Sequence, residues 1–204
     1  MLQGMTAHYL THSTYPLQPE HTCLIHAAAG GTGQMVVQMA KIRGATVIGT
    51  TSTREKANLA REAGADQVIL YSEQDFEAET MRLTNGRGVD VVYDSVGAAT
   101  FDKGLNVLRL RGMMVLMGQA RGQVPPVDLQ TLHARGSLCV TRPSLFHHIA
   151  EREDLLQRAG DLLDLLGTGK LSVRIDHELP LSQAEEAHRL LANRKSAGKI
   201  LLVP

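Results

Sequence analysis

Tryptophan is absent from these 204 residues, aromatic side chains make up only 3%, and there are just two cysteines. The core must therefore be aliphatic, and a framework of several disulfides is excluded. Charge of either sign is not in excess, since 21 Lys and Arg balance 21 Asp and Glu and no basic block stands out. Nucleic acid or an anionic membrane surface thus finds no electrostatic footprint. No run approaches the length of a transmembrane helix, and residues 1–5 lack the charged and apolar regions of a signal peptide. Cys23 and Cys139 both fall in predicted strands, which reads as core thiols in a reducing compartment. Cytoplasm is the expected location.

The same scarcity removes several chemistries. The two cysteines lack the spacing of zinc ligands, and His147 and His148 are adjacent rather than four apart, so no metal site is expected. Nine histidines have no clustered carboxylate partner. No G-x-S-x-G occurs, and Gly30-Gly31-Thr32-Gly33 lacks the Lys-Ser/Thr of a Walker loop.

What is present is concentrated between Leu24 and Ala40. An apolar run ends in small residues, turns through Gly30-Gly31-Thr32-Gly33 and opens into a segment with helical periodicity. That is strand, tight loop and helix, the order of a dinucleotide site. Gly30 falls where a bare backbone lets a pyrophosphate approach, and Gly33 where a helix packs closely on a strand. The helix start adds unpaired N–H groups and the positive end of its dipole. Ala28 takes the first glycine position of G-x-G-x-x-G, so the generic motif is imperfect.

Five further apolar runs follow, at Thr46–Thr50, Gln67–Tyr71, Val89–Asp94, Gly112–Met117 and Ser137–Thr141, separated by helical segments. Short runs without polar alternation mean strands covered on both faces. The expectation is a doubly wound, mostly parallel six-stranded α/β (Rossmann) sheet with its ligand at the carboxyl edge. The rhythm breaks after Thr141, so residues 1–141 read as the cofactor-binding domain and 142–204 as a C-terminal α/β appendage. Within the latter, Ser182 and Glu185 have capping-box spacing.

A site for NAD normally carries an acid at the end of the second strand, roughly 20 residues past the glycines. Here that place holds Thr50-Thr51-Ser52-Thr53-Arg54-Glu55-Lys56. Hydroxyls and cations at the strand tip suit a 2′-phosphate. The competing reading is that Ser52 or Thr53 caps the next helix and that Arg54 and Lys56 are solvated.

The stretches His26–Gly33, Tyr93–Gly97 and Val140–Leu145 resemble the quinone oxidoreductase (zeta-crystallin-like) branch of the medium-chain dehydrogenase/reductases, as do Gln3–Ala7 and Gly198–Leu202. Ala28 belongs to that branch's own loop. The resemblance implies NADPH as cofactor, a quinone or related activated alkene or carbonyl as small-molecule substrate, and a symmetric homodimer through residues near 137–147. Relatives carry a preceding GroES-like catalytic domain, so the sequence reads as the C-terminal portion or a short form, with no catalytic acid–base residue of its own. The resemblance places Gly31 and Thr32 at the pyrophosphate and Ser52, Lys56 and Tyr71 around the 2′-phosphate, with Thr53 beside them. Tyr9, Ser95, Met117, Gly118, Gln119, Pro143 and Ser144 correspond to positions lining the rest of the cofactor, and Arg194 to a late contact. A second reading is a non-catalytic NADPH-binding or dimerisation module.

Overall fold

The computed structural model describes residues 1–193 and 196–204. It opens with α1 (Leu2–Tyr9), which widens into a π-helical turn over Leu10–Thr14. Then β1 (Thr22–Ile25), α2 (Gly31–Ile42), β2 (Thr46–Thr51), α3 (Arg54–Glu62) and β3 (Gln67–Leu70) form the first half. The second half comprises α4 (Phe76–Leu83), β4 (Val89–Asp94), α5 (Phe101–Asn106), β5 (Leu108–Leu116), α6 (Leu129–Ala134) and β6 (Cys139–Thr141). Its strands join the first three in one sheet of order β3-β2-β1-β4-β5-β6, with every neighbouring pair parallel. This is the expected doubly wound fold, and strand order reverses between β1 and β4, where such sheets open a crevice.

Period-two alternation distributes the core over both faces. Cys23, Ile25, Val91 and Tyr93 point toward α1 and α2, while Leu24, Val92 and Met114 point toward α4 and α5. Strands covered on two sides are predominantly apolar without alternation, and polar residues such as Asp90 and Asp94 fall at the strand ends, where hydrogen bonds satisfy them. Each Leu or Ile so enclosed contributes about 1.5–3 kcal/mol relative to exposure.

After β6 come α7 (Leu145–His148), α8 (Arg152–Gly167), β7 (Ile175–Pro180), a 3₁₀ turn at Leu181–Gln183, α9 (Ala184–Ala192) and β8 (Lys199–Val203). Leu162 of α8 enters the α1–α2 side of the core. The parallel β7–β8 pair forms a separate two-stranded sheet, tied to α2 through Gln38, whose amide exchanges hydrogen bonds with Ser172 (2.8 and 3.1 Å).

Two local expectations fail. Cys23 is a buried core thiol, but Cys139 is exposed, because β6 is a three-residue edge strand with solvent beside it. The capping box at Ser182 does not form either. Pro180 ends β7, Ser182 lies inside the 3₁₀ turn, and α9 starts at Ala184 with no side-chain cap.

Candidate functional site

The carboxyl ends of β1 to β5 surround a cleft of about 720 Å³ at the point where strand order reverses. Its floor is the turn between β1 and α2. Ala27 adopts a left-handed φ of 53°, and the Gly30 N–H donates to its carbonyl (2.9 Å). Gly33 lies so close under this turn that a Cβ there would stand 2.2 Å from the Ala27 oxygen. Helix α2 begins at Gly31 with no side-chain cap, so its first N–H groups are left for another acceptor.

The β2 tip forms one side. Thr53 is the N-cap of α3, its hydroxyl accepting from the Lys56 N–H at 3.3 Å. Arg54 lies 3.5 Å from Glu73 at the surface. The capping reading thus holds for Thr53, while Ser52, Thr53 and Lys56 also line the cleft. Tyr71, just past β3, is 42% exposed and lines it as well.

The opposite side is the loop after β4, which Asp94 shapes. Its fully buried carboxylate accepts from the Val96 N–H (2.7 Å), the Gly97 N–H (3.1 Å) and the Thr100 hydroxyl (2.8 Å). Asp94 is therefore occupied in holding Ser95 and Val96 at the rim. Gly97 takes φ +92°, and a Cβ there would meet the Gly122 carbonyl at 2.4 Å.

Of the residues expected from sequence, Gly30, Ser52, Thr53, Lys56, Tyr71 and Ser95 are brought together around this cleft. The others lie elsewhere. Gly31 faces Gln3 of α1 and lines a small neighbouring cavity. Thr32 is half-buried and Gly33 buried in the first turn of α2. Tyr9 is buried and stacks on His148, ring centroids 4.2 Å apart. Met117 and Gly118 follow β5, both N–H groups donating to the Asp94 carbonyl (2.7 and 3.1 Å), with Gln119 exposed beyond them. Pro143 and Ser144 bridge β6 to α7. Arg194 lies outside the described residues.

The cleft lining also includes four ionisable side chains that spacing does not single out: His26, Asp75, Lys103 and Arg121. Lys103 is ion-paired with Asp75 across α5 and α4. His26 directly follows β1. It is buried, with Nδ1 2.9 Å from the Thr50 hydroxyl and its ring edge-on to Phe76. Burial holds its pKa below the usual imidazole range despite the pull of Asp94, and Nε2 has no partner among the described residues.

A glycine turn against a bare helix start, at the switch point of a 3-2-1-4-5-6 sheet, has recognisable relatives. Residues 31–160 match the family model described as zinc-binding dehydrogenase. The chain belongs to that family. Within the zinc-binding dehydrogenases its likeness is to the quinone oxidoreductase branch. It is 44% identical over 205 residues to a 2-haloacrylate reductase of Burkholderia sp and 43% identical to quinone oxidoreductase 1 of Escherichia coli. All of this chain is matched in both cases, against 62% and 63% of the relatives. The chain thus spans somewhat under two thirds of the curated relatives' length. The solved Escherichia coli quinone oxidoreductase complexed with NADPH superimposes with a TM-score of 0.96 at 43% identity, covering 100% of this chain and 63% of that one. A mycobacterial protein complexed with NADPH gives 0.95 at 46% identity, over 100% and 63%.

The residues present do not fit the zinc in the family's description. Among those described, no three His, Cys, Asp or Glu side chains converge, and Cys23 is buried in β1 while Cys139 stands on the sheet edge. They do fit a dinucleotide, since Gly30 lines the cleft without a side chain, Gly33 lets α2 pack close under the turn, and the uncapped start of α2 offers donors for phosphate. No helix among the described residues is long and apolar enough to cross a membrane.

Proposed function

We propose that the chain binds NADPH with the adenosine end in the β1–β5 cleft, as the cofactor-binding part of a reductase of quinones or related activated alkenes and carbonyls. The observation that carries this reading is the β2 tip. Ser52 and Lys56 line the cleft there and no carboxylate occupies the strand end, so a 2′-phosphate is favoured over a free ribose hydroxyl pair. The N–H groups at the start of α2 would take the pyrophosphate, and Tyr71 and Ser95 would flank the adenosine. Bound NADPH supplies the hydride. The chain's own residues bind it, orient it and keep water from its adenosine end.

Two phosphate contacts at roughly 1.5–3 kcal/mol each give a preference for NADPH over NADH on the order of 10²-fold before screening. Titrating both cofactors at equal ionic strength tests it. Equal affinities, or a preference unchanged in Lys56→Ala, would sink the assignment.

We also propose a homodimer through the β6 edge. Val140 on that strand, Phe146 beyond it (72% exposed) and Leu129 of α6 (73%) present apolar surface next to unpaired backbone groups. Such an edge calls for a partner, and an isologous second copy satisfies it. The alternative is a non-catalytic NADPH-binding or dimerisation module. Quinone-dependent NADPH oxidation by the polypeptide separates the two.

A further inference from the structure

The loop after β5 is laced to the loop after β4. The Ala120 N–H donates to the Ser95 carbonyl (3.1 Å), the Arg121 N–H to that of Val96 (2.8 Å), and the Ala98 N–H to that of Gly122 (3.1 Å). The Arg121 backbone is therefore fixed on the β4–β5 side. Its side chain crosses the cleft, because Cζ stands 6.0 Å from the centre of the Tyr71 ring. Tyr71 is anchored on the other side. Its N–H donates to the Thr51 carbonyl (3.1 Å), and the next hydroxyl, Ser72, donates to the Ser52 carbonyl (2.9 Å). The guanidinium consequently stands over the Tyr71 ring at the outer reach of a cation–π approach, and the backbone that carries this ring is tied to the β2 tip.

The state of the neighbouring cations makes this placement informative. Lys103 is paired with Asp75, and Arg54 with Glu73. Arg121 lines the same cleft, yet makes no ion pair and no side-chain hydrogen bond among the described residues. A guanidinium lying on a π face uses that face and keeps its edge of N–H donors for an acceptor in its plane. A phosphate monoester dianion is the acceptor that this fork fits best.

We infer that Arg121 is a specificity-determining cation, contributed from across the cleft to the 2′-phosphate that Ser52 and Lys56 receive. Tyr71 holds the guanidinium in place before the cofactor arrives. This rests on the NADPH reading above. It adds to that reading a residue outside the glycine turn and the β2 tip, on a loop that carries no dinucleotide motif.

The test compares NADPH with NADH, and 2′-AMP with 5′-AMP, by equilibrium titration of the full chain and of Arg121→Ala and Arg121→Lys. Arg121→Ala is expected to weaken NADPH and 2′-AMP about tenfold while NADH and 5′-AMP stay within about twofold. Its NADPH affinity should also depend less steeply on salt. Arg121→Lys is expected to fall between, since a point charge replaces the fork. Equal losses for both cofactors would show that Arg121 stacks on adenine instead, and would overturn the inference. So would an undiminished NADPH preference in Arg121→Ala. A wild-type chain that does not prefer NADPH would instead remove the cofactor reading itself.

Discussion

Gly33→Ala is the sharpest single perturbation of the site. The added Cβ would stand 2.2 Å from the Ala27 oxygen and 3.0 Å from the carbonyl carbons of Ala27 and Ala28. These are backbone atoms of a turn that already holds Ala27 at φ 53°, so no flexible side chain can yield. Relieving the clash requires α2 to move off β1 by about 1 Å, through a core that includes Val36, Val37 and Ala40. Overpacking of this kind costs about 1–3 kcal/mol. In a chain of this size that lowers Tm by roughly 3–10 °C. The same displacement withdraws the first N–H groups of α2, so NADPH binding should weaken at least about tenfold. Gly160→Ala is the control, since nothing stands within 4 Å of its Cβ and α8 is regular there. It should stabilise by about 0.5–1 kcal/mol. Thermal unfolding with and without NADPH measures both effects. If Gly33→Ala keeps wild-type Tm and affinity, the close-approach argument fails.

Asp94→Ala leaves two N–H donors and the Thr100 hydroxyl without their acceptor. It should cost about 2–4 kcal/mol by chemical denaturation and loosen NADPH binding. Acid should weaken the chain through the α1–α8 contact. Burial depresses His12 from 6.5 to about 4, and it also lowers His8, which stacks on His12, lies 3.1 Å from Asp161 and touches Arg158. The folded state holds these imidazoles neutral, so their stability contribution is complete above pH 6.5 and is lost as pH falls toward 4. For His12 the loss is about 2 kcal/mol after screening, and His12→Gln should flatten the pH dependence of unfolding. Val140→Lys should give monomer in light scattering where wild type gives dimer, and a monomeric wild type at micromolar concentration would contradict the β6 interface. Quinone-dependent NADPH oxidation should be lower than in a relative of full length by several orders of magnitude, and comparable turnover would place the reacting centre within this chain.

The strands were legible because β1 to β5 lie between two layers of helix, and burial on both faces writes itself as an uninterrupted apolar run. The glycine turn was legible for a related reason. Gly33 has 2.2 Å where a Cβ would go, and a constraint that tight admits one residue type. The edge strand was less so. Cys139-Val140-Thr141 has the composition of an inner strand, but among the described residues β6 is the sheet edge, and that position decides the exposure of Cys139. Ser182 and Glu185 had the right spacing for a capping box, and the 3₁₀ turn after Pro180 moved the helix start past the hydroxyl. In each case the deciding contact was remote in the chain or followed from a local backbone choice that spacing does not encode.

The cleft shows the same division between its two sides. Ser52, Thr53 and Lys56 sit within five residues and follow a strand, so their convergence is a local property of one turn. Arg121 and Tyr71 are fifty residues apart, and only the sheet order β3-β2-β1-β4-β5 brings the loops of β3 and β5 to opposite rims of one opening. The Asp94 carboxylate and the backbone bonds between the β4 and β5 loops then fix the reach of Arg121 to the ring. A charge set by a turn is readable from spacing, whereas a charge delivered across a switch point depends on topology. On the proposed reading the adenosine end is where this chain would combine both, and selection between NADPH and NADH is the property that such a pairing of near and far cations would control.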